Sequence, residues 1–261
     1  MSGHSKWANI RRAKAVTDAK KAKIFTKLAH NIILAAQQGG GDPDINFTLR
    51  LAINRAKAVN MPSDNIERAI KRGTGESKDA QIISVTYEAL GPGKTAVLID
   101  CQSDNTNRAL AEVRRIVEIL STGKLAPSGS VSWQFEERGL IVLYAQKFVP
   151  SAKFGKEGDY ENIDAGDAVL ELMEMPGVID IHEETADGQT LIEVITVRES
   201  LKAIHTEILQ KGYKIESAEL AKIAKEEVKL DDAQWEELQQ LLDKLDDSDE
   251  VTSVWHNADH V

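Results

Sequence analysis

The stretch "KKAKIFTKLAHNIILAAQQGGGDPD", residues 20–44, contains the pattern that determines how the fold begins. Apolar residues recur there at every fourth position, a spacing that lines one face of an α-helix. They are Ile24, Leu28, Ile32 and Ala36. The three glycines at 39–41 end this helix, because glycine readily adopts the left-handed conformation that follows helix C-termini. We therefore predict a helix that begins near Lys20 and ends at the glycines.

Two further helices follow the glycines. Asp42 is a candidate N-cap for the second helix, because a short side-chain oxygen accepts the free N–H groups of a first turn. Asp64 is a candidate N-cap for the third, with Glu67 three residues later as in a capping box, and Gly73 ends that helix. The sequence therefore predicts a three-helix bundle over residues 1–77.

Strand patterns begin after this bundle. Residues 78–136 contain two strand-like runs joined by the turn "GPG", then a helix and a third strand. Residues 137–225 follow the order β-α-β-β-α-β, which is typical of a ferredoxin-like sandwich. An acidic helix and a last strand in 226–261 would complete the sheet that 78–136 begin. We predict an α+β multidomain fold, in which the ferredoxin-like third domain is inserted in a discontinuous second domain.

Positive charge is concentrated at one end of an acidic chain. The protein has 32 Lys or Arg and 42 Asp or Glu, a formal net charge of −10. Residues 1–75 nevertheless contain 14 basic and 5 acidic side chains, giving +9, and the remainder carries −19. Such asymmetry is typical of a protein in which one part binds a polyanion.

Three interpretations of the basic end compete: an organelle-targeting peptide, a solvated helix face, and a docking surface for a polyanion. Around the first helix Lys20, Lys23 and Lys27 fall within a sector of about 60°, opposite the apolar face. Residues 1–31 contain eight basic residues and one acid, Asp18, so a balanced solvated face is not favoured. The glycines lead directly into the next helix, which argues against a cleaved leader. We favour docking on phosphates, where Lys and Arg release counterions without reading sequence.

Two short motifs resemble enzymatic or metal sites but lack their defining residues. "GPGKT" at 91–95 ends like a phosphate-binding loop, but position 88 is Glu where the motif requires Gly, and a hairpin turn is favoured. "HNADH" at 256–260 has two histidines four residues apart, but we expect a frayed tail there. No nucleophile or acid–base pair can be named, so we predict a protein that is not an enzyme and has no cofactor or metal. A hydrolase with a cleft between domains is the alternative.

The remaining composition indicates the environment. No run of about 18 apolar residues exists, so we expect no membrane-spanning helix and no membrane partner. Cys101 is the only cysteine and lies in an apolar run, so we expect it to be packed in the interior of a cytoplasmic protein. The sequence does not determine the oligomeric state; a monomer is our expectation.

Eight segments closely resemble the YebC/PmpR family, in the same order along essentially the whole chain. They are "GHSKWANI" (3–10), "DAKKAKIFTKL" (18–28), "GGGDPD" (39–44), "NMPSDNIERAIKRGTG" (60–75), "YEALGPG" (87–93), "SDNTNRALAEVR" (103–114), "SGSVSWQFE" (128–136) and "IESAELAKI" (215–223). The resemblance implies three domains and a non-enzymatic cytosolic protein of gene expression. Bacterial members are described as DNA-binding transcriptional regulators. Others, including a mitochondrial translational activator of cytochrome oxidase, resemble ribosome-associated translation factors that relieve stalling at proline-rich stretches.

The resemblance also implies which residues bind nucleic acid, either DNA or ribosomal RNA. The family's basic block falls on Lys6, Trp7, Arg11, Arg12, Lys14, Lys20, Lys21, Lys23 and Lys27, and its third-helix end on Arg68, Lys71 and Arg72. Trp7 offers an aromatic face that can stack on a base. This chain departs from the family pattern at "TGKLAPSGS" (122–130), where Lys124 and Pro127 replace a glycine-rich loop.

Overall fold

The computed structural model describes residues 18–77, 81–151, 158–186 and 189–260. Their described residues form two compact units along the chain. Unit 1 comprises residues 18–136 and 223–260, and unit 2 comprises residues 137–222. Unit 2 is thus inserted between two parts of unit 1, and the α+β multidomain fold class is confirmed. The finer division into domains 1–77, 78–136 with 226–261, and 137–225 stays a prediction.

Helices and strands of the described residues follow in chain order. The helices are α1 (Asp18–Gly39), α2 (Phe47–Ala58), α3 (Ser63–Gly73), α4 (Thr106–Arg114), α5 (Ala165–Met173), α6 (Leu201–Gln210) and α7 (Asp232–Asp246). The strands are β1 (Ile83–Leu90), β2 (Ala96–Ser103), β3 (Lys124–Ala126), β4 (Phe135–Val149), β5 (Asp159–Asn162), β6 (Val178–Ala186), β7 (Gln189–Val197), β8 (Tyr213–Ala224), β9 (Val228–Leu230), β10 (Val251–His256) and β11 (Ala258–His260). None of these helices is long and apolar enough to cross a membrane.

Helices α1, α2 and α3 form the helical bundle around their own apolar core. That core includes Ile32 of α1 and Leu49 of α2, both fully buried, and the buried Ile66 of α3. Leu28 packs against the same cluster. The fourfold apolar spacing of α1 therefore faces the bundle interior, as the sequence predicts.

The start of α2 differs from the prediction, and its cap is Asn46 instead of Asp42. The side-chain oxygen Oδ1 of Asn46 accepts a hydrogen bond from the backbone N–H of Leu49 at 3.1 Å. Its amide nitrogen donates to the carbonyls of Ala35 at 2.7 Å and Gly40 at 2.9 Å, which joins the end of α1 to the start of α2. One buried amide thus satisfies free backbone groups of two helices, and Asp42 lies outside the helix in the preceding turn.

The predicted cap of α3 is also wrong. The helix begins at Ser63, after Pro62, and Asp64 lies inside its first turn without capping it from the side chain. A proline needs no N–H partner, so it suits a position at the edge of a helix. Gly73 ends the helix as predicted.

The rest of unit 1 is a four-stranded antiparallel sheet in the order β10-β2-β1-β3, with α4 and α7 sharing its core. β1 and β2 form the hairpin predicted at "GPGKT", joined by a short helical turn at Pro92–Lys94. Cys101 is buried, as predicted, and burial raises the pKa of its thiol to about 12.

The segment "HNADH" is ordered, so the expectation of a frayed tail is wrong. β11 pairs in parallel with β9, from Ala258 opposite Val228 to His260 opposite Leu230. The His260 ring stacks on Trp235 with ring centroids 5.1 Å apart. Backbone pairing and ring stacking together hold this segment in place. Its polar sequence gives no sign of either contact.

Unit 2 contains the predicted order β-α-β-β-α-β in the elements β4, α5, β6, β7, α6 and β8. Its sheet order is β5-β4-β7-β6, with β8 also pairing with β4, and the β4–β7 and β6–β7 pairs are antiparallel. The strand predicted at "GSVSWQFEE" (129–137) begins only at Phe135, after a short helical turn at Ser132–Gln134, and it continues without a break through "GLIVLYA" (139–145) as the single strand β4. The predicted hairpin turn at residues 187 and 188 lies outside the described residues.

Close packing of α3 on α1 requires glycine at position 73. A Cβ atom there would lie 2.5 Å from the Ile33 carbonyl oxygen and 2.6 Å from the Ala36 Cβ. We predict that Gly73→Ala lowers the free energy of unfolding by about 1–3 kcal/mol, because the helices must separate. Chemical denaturation measures this change. Glu67→Ala, at an exposed position of the same helix, is the control and should change it by less than about 0.5 kcal/mol; equal effects would contradict the packing argument.

Candidate nucleic-acid interface

The structure describes the side chains of five of the twelve predicted binding residues. Lys6, Trp7, Arg11, Arg12 and Lys14 lie outside the described residues. Lys20 and Lys21 lie in the first turn of α1, where only the backbone is described. The five with described side chains are Lys23, Lys27, Arg68, Lys71 and Arg72.

Lys23 and Lys27 contact the C-terminal end of α7 within unit 1. The Lys23 ammonium donates to the carbonyl oxygen of Asp247 at 2.7 Å. One turn later, the Lys27 ammonium donates to the carbonyl oxygen of Asp246 at 2.6 Å. This face of α1 therefore meets backbone carbonyls of the same chain at the end of α7. We call this surface the lysine face and define it by Lys23 and Lys27.

Physical chemistry favours this end of α7 as a partner for ammonium groups. The last carbonyls of a helix have no partner inside the helix, and the helix dipole places partial negative charge there. Four carboxylates add to it within five residues, at Asp246, Asp247, Asp249 and Glu250. We call residues 246–250 the acidic helix end. Lysines near a helix C-terminus satisfy its carbonyls directly.

Burial and charge act in opposite directions on Lys27. Burial is the main cause and lowers the pKa of its ammonium below 10.5. The carboxylates of Asp246, Asp249 and Asp247 raise this pKa, and Lys23 lowers it. The net pKa is lowered, so the loss of hydration outweighs the attraction of the carboxylates. Lys27 therefore lies against the acidic helix end as a desolvated group.

The contact between α1 and the sheet continues beyond the lysines. The Gln102 amide at the end of β2 donates to the Asn31 side-chain oxygen at 2.9 Å. The neighbouring His30 also faces Gln102, and its Nδ1 is buried without a hydrogen-bond partner. A buried imidazole nitrogen of this kind favours the neutral ring, because the charged ring would lose hydration.

The predicted residues of α3 lie in different surroundings. The Arg68 Nε donates to the carbonyl of Asp64 at 3.2 Å, and another of its guanidinium nitrogens contacts Asn65. Lys71 is exposed in the last turn, and Arg72 is half-buried near His30. Lys57 lies exposed in the last turn of α2, where a basic side chain suits the helix dipole.

The loop that departs from the family pattern is held by a buried carboxylate. Glu88 accepts backbone N–H groups of Gly129 at 2.6 Å, Val131 at 2.6 Å and Ser132 at 3.0 Å. Burial alone would raise the pKa of Glu88, but these hydrogen bonds bring it below 4.5. The adjacent Trp133 is 66% exposed. Sequence reasoning missed both residues, because the position of Glu88 was considered only as a departure from a phosphate-binding loop.

Metal and catalytic chemistry find little support in the arrangement. Over the described ranges, no group of three or more His, Cys, Asp or Glu side chains is placed to hold a metal ion. His260 Nε2 lies 2.9 Å from an oxygen of Asp232, and His182 lies 3.4 Å from an oxygen of Asp180. Each is an isolated contact between a histidine and a carboxylate. The described site is therefore one of charge contacts.

His30 makes the packing of α1 on the sheet sensitive to pH. Burial, aided by the positive charge of Arg72, lowers the pKa of the ring below 6.5, although Glu250, Asp104 and the Gln102 backbone oppose this. The unfolded state then binds more protons below about pH 6.5. Stability should therefore fall as the pH drops from 7.5 to 5.5, and His30→Gln should show a flatter dependence over this range. Denaturant midpoints measured across the range test this, and identical slopes for both proteins would refute the assignment.

Comparison with known proteins identifies the family. Residues 5–76 match the TACO1/YebC protein N-terminal domain, and residues 82–258 match the TACO1/YebC second and third domain. A probable transcriptional regulatory protein of Caldanaerobacter subterraneus is 40% identical over 259 residues, which cover 99% of this chain and 98% of the relative. A protein of the same description from Geobacter sulfurreducens is 41% identical over 262 residues, covering 99% and 96%.

A solved structure agrees with the sequence relatives. The crystal structure of a conserved hypothetical protein from Aquifex aeolicus matches with a TM-score of 0.81 and 31% sequence identity. The match covers 95% of this chain and 93% of that one. The resemblance seen in the eight segments is confirmed, and the chain belongs to the TACO1/YebC family.

Proposed function

We propose that this protein is a non-enzymatic transcriptional regulator that binds DNA through its basic helical bundle. The observation that carries the proposal is the charge of residues 1–75, +9 in a chain of net charge −10. Relatives described as probable transcriptional regulatory proteins support the same role. The acidic remainder is repelled by phosphate, so it leaves the bundle as the favoured part for docking.

Binding of this kind is directed mainly at the phosphate backbone. Clustered Lys and Arg release condensed counterions, which gives affinity without reading bases. The sequence of the bundle shows no recognition helix that groups several base-reading side chains. We therefore expect weak sequence specificity and a strong dependence on salt. Exposed Arg68 and Lys71 of α3 are the described side chains that we assign to phosphate contacts.

Charge reversal on α3 tests this assignment. We predict that Arg68→Glu with Lys71→Glu weakens binding of a 30-bp duplex about tenfold or more at 0.1 M salt. It should also reduce the slope of log affinity against log salt by roughly 2, because two phosphate contacts are lost. Fluorescence anisotropy over a salt series measures both quantities.

A matched control separates contact from overall charge. Lys202→Glu with Lys229→Glu makes the same charge change at exposed lysines outside the bundle. It should weaken binding much less and leave the salt slope nearly unchanged. If both double variants behave alike, the bundle has no special role.

The nucleic acid bound in cells decides between transcription and translation. Crosslinking followed by sequencing of the attached nucleic acid should yield DNA near promoters. Crosslinks concentrated on ribosomal RNA would overturn the transcriptional proposal and favour the translation factors that the family also contains.

A further inference from the structure

The lysine face of α1 is engaged by backbone carbonyls at the acidic helix end. Two ammonium groups one helical turn apart donate to two consecutive carbonyls, at 2.7 Å for Lys23 and 2.6 Å for Lys27. From the sequence, these two lysines are predicted to bind a polyanion. In unit 1 their donors are instead directed at the acidic helix end.

The acidic helix end resembles a nucleic-acid backbone in the two features that allow it to bind an ammonium group: oxygen acceptors and negative charge. It presents closely spaced oxygen acceptors in a region of negative charge, as successive phosphates do. The carboxylates of Asp246, Asp249 and Asp247 all attract the Lys27 ammonium. A phosphate backbone offers the same ammonium groups the same kind of acceptor, so the two are chemically interchangeable partners.

The sheet side holds the acidic helix end in place independently of the lysines. The Glu250 carboxylate accepts from Arg108 Nε at 2.5 Å, and Arg108 also contacts Asp104 at 2.9 Å. The backbone carbonyl of Glu250 accepts from the Gln102 N–H at 3.0 Å. Ser248, in the same segment, is buried. The acidic helix end is therefore an acceptor fixed on α7 and the sheet, while the lysines belong to the bundle.

We propose that the acidic helix end and nucleic acid compete for Lys23 and Lys27, so that this contact sets how strongly the bundle binds. The proposal rests on the proposed function, since it describes regulation of the same surface. In the engaged state the two lysines are withheld from phosphate, and binding that uses them must displace the acidic helix end. Any change that weakens the internal contact raises the affinity for DNA.

Neutralising the carboxylates tests the competition. The variant Asp246→Asn, Asp247→Asn, Asp249→Asn keeps the two backbone carbonyls and removes the charges that attract Lys27. We expect it to bind a 30-bp duplex about fivefold or more tightly than the wild type at 0.1 M salt, within the range typical of coupling between sites.

Removing any three acids also reduces general repulsion of DNA, so a matched control is needed. Glu183→Gln, Glu199→Gln, Glu236→Gln removes three exposed carboxylates away from the acidic helix end. It should tighten binding much less than the aspartate variant. Equal tightening in the two variants would overturn the competition and leave DNA binding itself intact. Absence of DNA binding by the wild type and both variants would overturn the proposed function and the competition with it.

The wild-type protein supplies a second measurement that does not depend on the folding of a variant. Saturating duplex DNA should shift the backbone carbonyl ¹³C resonances of Asp246 and Asp247 in NMR spectra, because the ammonium donors leave these two carbonyl oxygens. Reactivity of Lys23 and Lys27 toward an acylating reagent should be lower than that of exposed Lys57 in the free protein. DNA binding that leaves both carbonyl resonances unshifted would contradict the displacement.

Discussion

The hydrogen bonds from Lys23 and Lys27 to the end of α7 are the interaction on which the account of this protein depends. Helix geometry explains why the pair exists. The apolar face of α1, with Ile32 fully buried, packs into the bundle, and the lysines one turn apart therefore emerge on another face. A helix C-terminus supplies unpaired carbonyls and negative potential at the place they reach. The acidic helix end thus joins the bundle to the sheet through charge.

The same asymmetry of charge has two consequences. A basic bundle in an acidic chain is attracted to phosphate, and it is also attracted to the carboxylates of its own chain. Burial of Lys27 opposes the second attraction, since its pKa is lowered in spite of the neighbouring aspartates. The internal contact is therefore a balance between desolvation and charge, and a balance of this kind can be shifted by a competing polyanion or by salt.

The periodicity of apolar residues predicted the helices and strands better than it predicted the contacts between them. The fourfold spacing of apolar residues identified α1 and its buried face, and the β-α-β-β-α-β order identified the elements of unit 2. The Asn46 cap was missed because its amide reaches carbonyls at the end of the preceding helix, and Asp42 with Pro43 offered a stronger local signal. A domain boundary is predicted from the sequence between residues 136 and 137, whereas β4 runs across it without a break. At Gly139, within this strand, the Thr196 and Leu201 side chains occupy the space of a Cβ atom.

The candidate site shows the same limit. The helical wheel placed Lys23 and Lys27 on one face, and both contact the end of α7. Lys27 and its acceptor are 219 residues apart, however, and no local pattern connects them. A helical wheel shows which residues share a face of a helix, but it contains no information about the distant residues that pack against that face. Similarly, three backbone groups distant in sequence from Glu88 determine its role, and a motif comparison at position 88 gives no sign of them.

The pKa of Lys27 tests the central claim most directly, because it reports the contact without any nucleic acid. Lysines labelled at the side chain can be titrated by NMR in the folded wild-type protein, with Lys27→Arg used to assign the resonance. The account predicts that Lys27 titrates below its ordinary value of 10.5, because it is buried against the acidic helix end. Titration above 10.5 would show that the carboxylates outweigh burial, and titration at 10.5, as for a solvated lysine, would contradict the internal contact.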